Sequence, residues 1–355
     1  MQELTTRKAG VATKGFWPDI ASYIVKAPQA AQSVIFRAGE MVLSQLRENF
    51  LVSIERIEPF TEKQGKVIKV KVLLKEGNLF HSIGPEWGRF LENTLAETVN
   101  RFAIRPIEDN SGNAVFTING FMSGVDEGAW QDWEDAVCSC LGSHSWNHVC
   151  WDAKTSMDIV EIVKGIIPYH KVLPEIWNNP ALTLKKALDA ISSSVKDPEL
   201  YISFLSNPWH NAVIKAELTG VILAEIISRH YAKRPVTLMG NSLGARVIHS
   251  TLTTLSNKGF ANIDNIHLLG GAVNNNKWQS PLGTVKGRCF NYYSDNDDVL
   301  RYLYNIGMFA LSNPVGRYGI PGTKKVKNID VTKHVSGHMH YKRNFSAFYS
   351  YRLTV

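Results

Sequence analysis

Pro235–His249 reads PVTLMGNSLGARVIH, and this stretch decides the fold. The apolar run Val236–Met239 predicts a short strand, and the residues after Gly244 have the spacing of a helix. Between them, Ser242 lies on a sharp turn from strand to helix, where a serine nucleophile is exposed in strained backbone geometry. Gly240 and Gly244 lack the side chains that would collide where the helix packs back on the strand. The competing interpretation is an ordinary turn in which Ser242 caps the helix, and the strand-to-helix context favours the nucleophile.

Around this stretch, short apolar runs alternate with longer helical patterns from about residue 113 onward. Such alternation predicts a mainly parallel sheet flanked by helices. The central runs are almost entirely apolar, as expected for strands that are covered on both faces. The predicted strands are Ala114–Asn119, Asn147–Trp151, Val236–Met239, Asn265–Leu269, Cys289–Tyr293 and Lys327–Val331.

Three aspartates follow the fifth of these strands, in the sequence Ser-Asp-Asn-Asp-Asp-Val-Leu. The turn after a late strand is where a serine hydrolase built on such a sheet carries its acid. Asp297 is the first candidate, because the valine two residues later can anchor the loop in the core while the carboxylate points back toward the site. Asp295 and Asp298 are the alternatives. A solvated Asx-turn is the competing interpretation and should describe two of the three.

Three histidines follow the last predicted strand, in the sequence Thr-Lys-His-Val-Ser-Gly-His-Met-His-Tyr. A histidine in this loop is the expected general base, which takes the proton of Ser242 and later gives it to the leaving group. His338 is the first candidate because Ser336-Gly337 places it on a loop, and His340 is the alternative. The order serine, acid, histidine predicts an α/β-hydrolase fold.

Such a site also needs two donors for the oxyanion. One is the backbone N–H of Leu243, directly after the serine, at the N-terminus of the predicted helix. The other is expected in the loop Thr117–Gly124 after an early strand, where Gly120 allows a tight turn and Phe121 N–H is the candidate. An ordinary glycine turn is the competing interpretation of that loop.

The predicted domains are an N-terminal accessory region, residues 1–110, and a hydrolase domain, residues 111–355. The accessory region contains a helix around residues 39–49, a half-exposed strand Val67–Leu74 and a helix Pro85–Phe102. Residues 153–233 hold more helix than one crossover needs, which predicts a helical cap over the sheet. Its helical patterns are Leu182–Val195 and Asn211–His230. The aromatic residues that could line an acyl pocket are Trp177, Phe204 and Trp209.

The 355 residues carry a net charge of +7 and only four cysteines. The cysteines lack zinc or disulfide spacing and predict reduced thiols, and no cofactor or metal is expected. No nucleic-acid-binding motif accompanies the charge, which favours a solvated surface or peripheral contact with an anionic membrane. The N-terminus has no apolar run after its basic residues, and the longest apolar run, Val221–Ile227, is short. We therefore expect a cytoplasmic protein, or one exported without a cleavable signal peptide, with no transmembrane segment.

Four segments, GNSLGARVI, LLGGAV, NYYSDNDDVL and VSGHMHY, together resemble the hydrolase-like proteins typified by transmembrane and coiled-coil domain-containing protein four. The resemblance covers roughly residues 113–345. It implies an α/β-hydrolase fold with Ser242, Asp297 and His338 as the catalytic triad. Asn241 stands where histidine is usual before the serine, and the membrane-spanning segments of many relatives are missing.

The leading hypothesis is a serine ester hydrolase that acts on lipids, a lipase or phospholipase, on the basis of the triad, the cap and the basic surface. A secreted antibacterial effector of this class would have the same sequence features. The alternatives are a hydrolase of small esters or of acyl groups on proteins, and a non-catalytic hydrolase-fold binding protein.

Overall fold

The computed structural model describes residues 54–61, 67–75, 85–120, 130–138, 141, 144–152, 208–304 and 313–350. Within these ranges, nine strands form one sheet. They are β1 (Ile54–Thr61), β2 (Ile68–Leu74), β3 (Ala103–Glu108), β4 (Asn113–Ile118), β5 (His144–Cys150), β6 (Val236–Asn241), β7 (Ile263–Leu269), β8 (Cys289–Tyr293) and β9 (Val326–Asp330).

Helices cover this sheet. The α-helices of the described ranges are α1 (Pro85–Arg101), α2 (Glu134–Cys138), α3 (Pro208–His230), α4 (Leu243–Asn257), α5 (Val315–Tyr318) and α6 (Phe345–Ser350). A π-helical turn spans Val299–Tyr304, and short 3-10 turns span Gln131–Trp133, Pro281–Thr284 and His338–His340.

The strands lie in the order β1-β2-β3-β5-β4-β6-β7-β8-β9. The six strands from β5 to β9 in that order pair in parallel, whereas β1–β2, β2–β3 and β3–β5 pair antiparallel. The parallel strands direct their carboxyl ends to one edge, where the loops after β4, β6, β8 and β9 meet. This largely parallel sheet with flanking helices confirms the predicted α/β-hydrolase fold.

The six predicted strands are all present, with ends that differ by at most three residues. The largest difference is at β5, which begins at His144 rather than Asn147. Polar residues at its start hide the strand pattern, yet these side chains are buried. The Trp146 indole, for example, donates to Thr117 Oγ1 at 2.9 Å.

α3 and α4 pack closely on each other beside the sheet. A methyl group on Gly220 would lie 2.5 Å from Ser250 Cβ, so only glycine allows this approach. The closeness lets Ser250 Oγ donate to Glu217 O at 2.7 Å and Thr251 Oγ1 donate to Gly220 O at 3.1 Å. The helix after the serine is thereby fixed against the core.

The described part of the accessory region, residues 1–110, continues the same sheet. β3 pairs with β5 from Ala103 to Glu108, and β2 and β1 extend the sheet beyond it. The expected accessory layer is therefore an antiparallel extension, because half-exposed edge strands have a different pattern from buried parallel strands yet share their backbone ladder. The expected helix around residues 39–49 lies outside the described residues.

The predicted cap, residues 153–233, also differs in its C-terminal part. Residues 208–230 form α3, whose apolar side chains belong to the main core. Trp209 is buried in that core, with its ring 5.9 Å from the Tyr304 ring, and its place in an acyl pocket stays a prediction. Helical periodicity does not distinguish a cap helix from a crossover helix. Residues 153–207, with Leu182–Val195, Trp177 and Phe204, lie outside the described residues.

Candidate active site

Ser242 lies between the end of β6 and the start of α4, near the middle of the sheet. Its backbone has φ 55° and ψ −121°, a strained conformation for a residue with a side chain. The hydroxyl makes no capping hydrogen bond to the helix. The capping interpretation of this serine is therefore excluded, and the predicted strained turn is confirmed. Ser242 N donates to Leu269 O at 3.0 Å, which fixes the turn against the end of β7.

The two glycines that flank the serine are required by close approaches of backbone. A methyl group on Gly240 would lie 2.6 Å from the carbonyl carbon of Gly244, and one on Gly244 would lie 2.3 Å from Ile118 O. Side chains are excluded at both positions because the helix lies directly against the strand ends. The role predicted for this pair of glycines is confirmed.

Gly120 is a third glycine of this kind, and it lies in the predicted oxyanion loop. A methyl group on it would be 2.4 Å from Ser242 Cβ and 3.1 Å from Ser242 Oγ. Gly120 is therefore required by its close approach to the serine, and the tight turn predicted at this glycine involves residues outside the described ranges. Leu243 N–H is the first donor of α4 and has no acceptor within the helix. Phe121, the other predicted donor, lies outside the described residues.

Asp297 is fully buried in the loop after β8. One carboxylate oxygen, Oδ1, accepts Leu300 N–H at 2.9 Å. The other, Oδ2, lies 2.7 Å from His338 Nδ1. The backbone hydrogen bond orients the carboxylate, so the acid has one fixed direction toward the histidine.

His338 joins the acid to the serine, since its Nε2 lies 2.8 Å from Ser242 Oγ. A carboxylate oxygen only accepts hydrogen bonds, so Nδ1 carries the proton that is donated to Asp297. Nε2 of the neutral ring is then the acceptor for the serine hydroxyl. The three first candidates are therefore brought together in the order Ser242, His338, Asp297, with each contact at hydrogen-bond distance.

The alternative candidates lie elsewhere. Asp295 and Asp298 are exposed, and the Asp295 carboxylate is 4.0 Å from Arg317. His340 Nδ1 lies 2.7 Å from Ser336 Oγ. Two of the three aspartates are thus solvated loop residues, and His340 pairs within its own turn.

The loops that carry the acid and the histidine are bonded to each other. Ser294 Oγ and Asn296 Nδ2 both donate to Val335 O, at 3.0 and 3.1 Å. Asn296 Nδ2 also donates to Thr332 O at 3.0 Å. These bonds involve polar side chains whose pairing the sequence does not reveal, and they hold the two loops as one unit.

Tyr341 lies behind the acid, and sequence reasoning missed it. Its buried hydroxyl donates to Gly316 O at 3.3 Å. Burial, and after it the negative charge of Asp297, raises the pKa of Tyr341 well above its ordinary value, so the phenol stays protonated. A methyl group on Gly270 would lie 2.5 Å from this ring. The LLGGAV segment therefore carries glycine so that the tyrosine ring can pack beside the acid.

Arg246 is a buried polar residue on the first turns of α4, close after the serine. Its guanidinium donates to Glu217 Oε1 on α3 and to the Tyr304 hydroxyl, both at 3.1 Å. The arginine thus ties α3 and α4 to the π-helical turn that follows the acid loop. No group of three or more candidate metal ligands occurs within the part of the chain that the structure describes.

Several known proteins are similar to this chain in sequence. The family described as "Protein of unknown function (DUF726)" matches residues 77–351. Probable lipase MIL1 of Saccharomyces cerevisiae is 32% identical over 257 residues, which cover 70% of this chain and 23% of that protein. The transmembrane and coiled-coil domain-containing protein STS1 of Oryza sativa is 25% identical over 261 residues, 69% of this chain and 37% of that protein. The chain therefore spans well under half the length of these relatives.

Among solved structures, a type II thioesterase, YbtT, from a yersiniabactin pathway matches with 12% identity and a TM-score of 0.33, over 71% of this chain and 96% of that chain. An esterase of Pyrobaculum calidifontis matches with 10% identity and a TM-score of 0.34, over 92% of each chain. The strand order described above, rather than these matches, establishes the fold.

The relatives correct the expected location. An uncharacterized protein of Caenorhabditis elegans, 35% identical over 173 residues (46% of this chain, 28% of that protein), is named a membrane protein, as is a relative in Schizosaccharomyces pombe. STS1 is named a transmembrane protein. These names contradict the expectation of a cytoplasmic or exported protein without a transmembrane segment. The pattern of a hydrolase domain carries no signal for its location, which is why the sequence misled. Of the helices in the described ranges, none is long and apolar enough to cross a bilayer.

The four quoted segments predicted a resemblance to transmembrane and coiled-coil domain-containing hydrolase-like proteins, and STS1 and the family match confirm it. The matched residues 77–351 include every strand from β3 to β9, and they also include Ser242, Asp297 and His338. This chain is a member of the family described as "Protein of unknown function (DUF726)".

Proposed function

We propose that this protein is a serine ester hydrolase that forms an acyl-enzyme on Ser242. The observation that carries the proposal is the pair of contacts made by one histidine: His338 Nε2 to Ser242 Oγ at 2.8 Å and His338 Nδ1 to Asp297 Oδ2 at 2.7 Å. A non-catalytic binding protein would not need a serine with a strained backbone whose hydroxyl makes no capping hydrogen bond to the helix.

In the proposed reaction, Ser242 Oγ attacks the ester carbonyl carbon while its proton passes to His338 Nε2. The buried carboxylate of Asp297 stabilises the imidazolium that forms. Leu243 N–H, at the positive end of the α4 dipole, donates to the oxyanion, and Phe121 N–H is proposed as the second donor. The imidazolium then protonates the leaving alcohol. In the second half of the reaction, water gives a proton to His338 Nε2 and attacks the acyl carbon, and His338 returns that proton to Ser242 Oγ as the carboxylic acid leaves.

We propose a lipid ester as the substrate, which makes the enzyme a lipase or phospholipase. The name of one relative, Probable lipase MIL1, supports this class. The net charge of +7 would favour an anionic lipid surface as the place of contact. A short-chain ester or a protein-bound acyl group is the alternative substrate. No observation on the described residues supports the antibacterial-effector role.

The test compares wild type with Ser242→Ala, Asp297→Asn and Asp298→Asn on phospholipids, triacylglycerols and short-chain esters. Ser242→Ala should abolish both fatty-acid release and labelling by a fluorophosphonate. Asp297→Asn should lower kcat by about 10⁴-fold, because an asparagine favours the wrong histidine tautomer. Asp298→Asn is the matched control: its side chain is exposed one residue away, and kcat should stay within about twofold of wild type.

Activity that persists in Ser242→Ala would refute the proposal, as would a wild type that neither turns over any ester nor reacts with the fluorophosphonate. Hydrolysis confined to short-chain esters would keep the mechanism and overturn the lipid substrate.

A further inference from the structure

Lys342 is a buried lysine four residues after His338, on the segment that leads from the histidine turn into α6. The residue is 8% exposed. Its ammonium nitrogen lies 3.1 Å from Asn119 Oδ1 and 2.8 Å from Asp132 Oδ2. It also lies 5.6 Å from the centroid of the Trp133 ring. The ammonium therefore lies between Asn119, directly after β4, and the carboxylate of Asp132, whose side chain is 69% exposed.

Asn119 receives this contact directly after β4. Its side-chain oxygen also accepts the Trp133 indole N–H at 2.7 Å, and its backbone oxygen accepts the Trp151 indole N–H at 3.0 Å. With the amide oxygen held from two directions and the main chain from a third, the asparagine has one orientation. The residue is 4% exposed, so water does not compete freely for these bonds.

The next residue is Gly120, whose backbone lies against Ser242 in the close approach described above. The helix on the other side of the serine touches the same segment, since a methyl group on Gly244 would be 3.0 Å from Asn119 O. Lys342, four residues after His338, is thus bonded to Asn119, and the next residue, Gly120, lies against Ser242. Because His338 also contacts Ser242, these residues form a closed ring of contacts. Any displacement of Asn119 moves the backbone that faces the reacting oxygen.

We propose that Lys342 is a positioning residue: its bond to Asn119 couples the histidine turn to the segment after β4 and holds the Gly120 backbone in register with Ser242. The inference rests on the proposed function, and it assigns to the lysine the alignment of the oxyanion side of the site relative to the base. Lys342 acts through Asn119 and is not assigned any contact with the substrate.

The physical chemistry of buried charges separates this role from plain structural support. Removing one partner of a buried ion pair is strongly destabilising when it leaves the other charge buried and unpaired. The charged partner of Lys342 is Asp132, whose side chain is 69% exposed, so the change leaves no carboxylate buried. Lys342→Met should therefore leave the fold intact, while it removes the donor to Asn119 Oδ1. Misplacement of a catalytic group by about 1 Å costs on the order of 100-fold in rate. A role in alignment thus predicts loss of turnover without a matching loss of stability.

Lys215 supplies the matched control. It is also a buried lysine, 4% exposed, and its ammonium pairs with Asp152 Oδ2 at 2.5 Å and Glu97 Oε2 at 2.8 Å. Lys215→Met removes the same charge from a buried position on α3, and because its partner Asp152 is only 16% exposed, it should cost at least as much stability as Lys342→Met. Lys342→Arg is the conservative variant, since it keeps donors within reach of Asn119.

The experiment measures kcat and KM for the best ester of the panel, together with hydrogen–deuterium exchange of the peptide covering residues 113–120. Lys342→Met should lower kcat by about 10- to 100-fold with KM changed less than about threefold, and exchange at residues 117–120 should rise. Lys342→Arg should recover most of kcat. Lys215→Met should change neither kcat nor exchange at residues 117–120.

An active wild type whose Lys342→Met and Lys215→Met variants have equal kcat would overturn the positioning role and leave the proposed function standing. A wild type that neither turns over any ester nor reacts with the fluorophosphonate would overturn the proposed function. In that case, raised exchange at residues 117–120 in Lys342→Met alone would still support the coupling, and unchanged exchange would overturn it too.

Discussion

His148 makes the stability of this protein depend on pH. The side chain is buried on β5, with Nδ1 2.9 Å from Thr117 Oγ1. Burial, followed by the positive charges of Lys342 and Arg105, lowers its pKa from 6.5 to about 3. The folded protein therefore keeps this imidazole neutral over a range in which the unfolded chain binds a proton.

The sign and size of the effect follow from proton linkage. Between pH 6.5 and about 3 the unfolded state holds one proton more at this residue, so stability falls as the pH falls. Above pH 6.5 the neutral imidazole has little effect on the free energy of unfolding, and below pH 6.5 that free energy decreases progressively. From pH 7 to pH 5, one such group lowers the free energy of unfolding by about 2 kcal/mol.

Urea denaturation at several pH values measures this difference directly. His148→Asn removes the titration, while its amide can occupy the position of Nδ1 near Thr117. Its free energy of unfolding should therefore fall by about 2 kcal/mol less than that of wild type between pH 7 and pH 5. His230→Asn, at the exposed end of α3, should follow the wild-type curve. Parallel curves for wild type and His148→Asn would refute the reasoning.

Two further predictions concern glycines. Gly120→Ala would bring a methyl group to 2.4 Å from Ser242 Cβ, so fluorophosphonate labelling and kcat should fall by about 100-fold or more; unchanged labelling would contradict the close approach. Gly270→Ala combines a φ of +53° with a methyl group 2.5 Å from the Tyr341 ring, whereas Gly259→Ala has a φ of +66° and open space. Thermal unfolding should show Gly270→Ala to be less stable than Gly259→Ala by about 1–3 kcal/mol, and equal melting temperatures would contradict the packing of the ring.

Much of the fold could be predicted because the parallel strands are buried on both faces and leave continuous apolar runs. The pattern predicts β8 to the residue, at Cys289–Tyr293. β5 was located less well, because its first residues are polar and buried in pairs that only the tertiary structure creates. The helical pattern of α3 equally fits a cap helix, since period alone does not say which surface a helix covers.

The candidate site was predicted where local sequence and chemistry coincide. Gly240 and Gly244 lie within two residues of Ser242, so the pattern of this turn is visible in the local sequence. Choosing Asp297 and His338 among their neighbours depended on loop patterns and the resemblance, and the structure brings these two residues together. Lys342 could not be predicted, because a lysine is usually exposed and its partner lies 223 residues away in the chain.

The hydrogen bonds between the loops of Asp297 and His338 determine at which stage these two residues become aligned. Ser294 and Asn296 hold the histidine loop through Val335 O. The conformational entropy of aligning Asp297 with His338 is therefore lost when the chain folds, and not again at each turnover. Substrate binding therefore does not have to order this pair, so differences in rate between ester substrates should not arise in the acid–histidine pair.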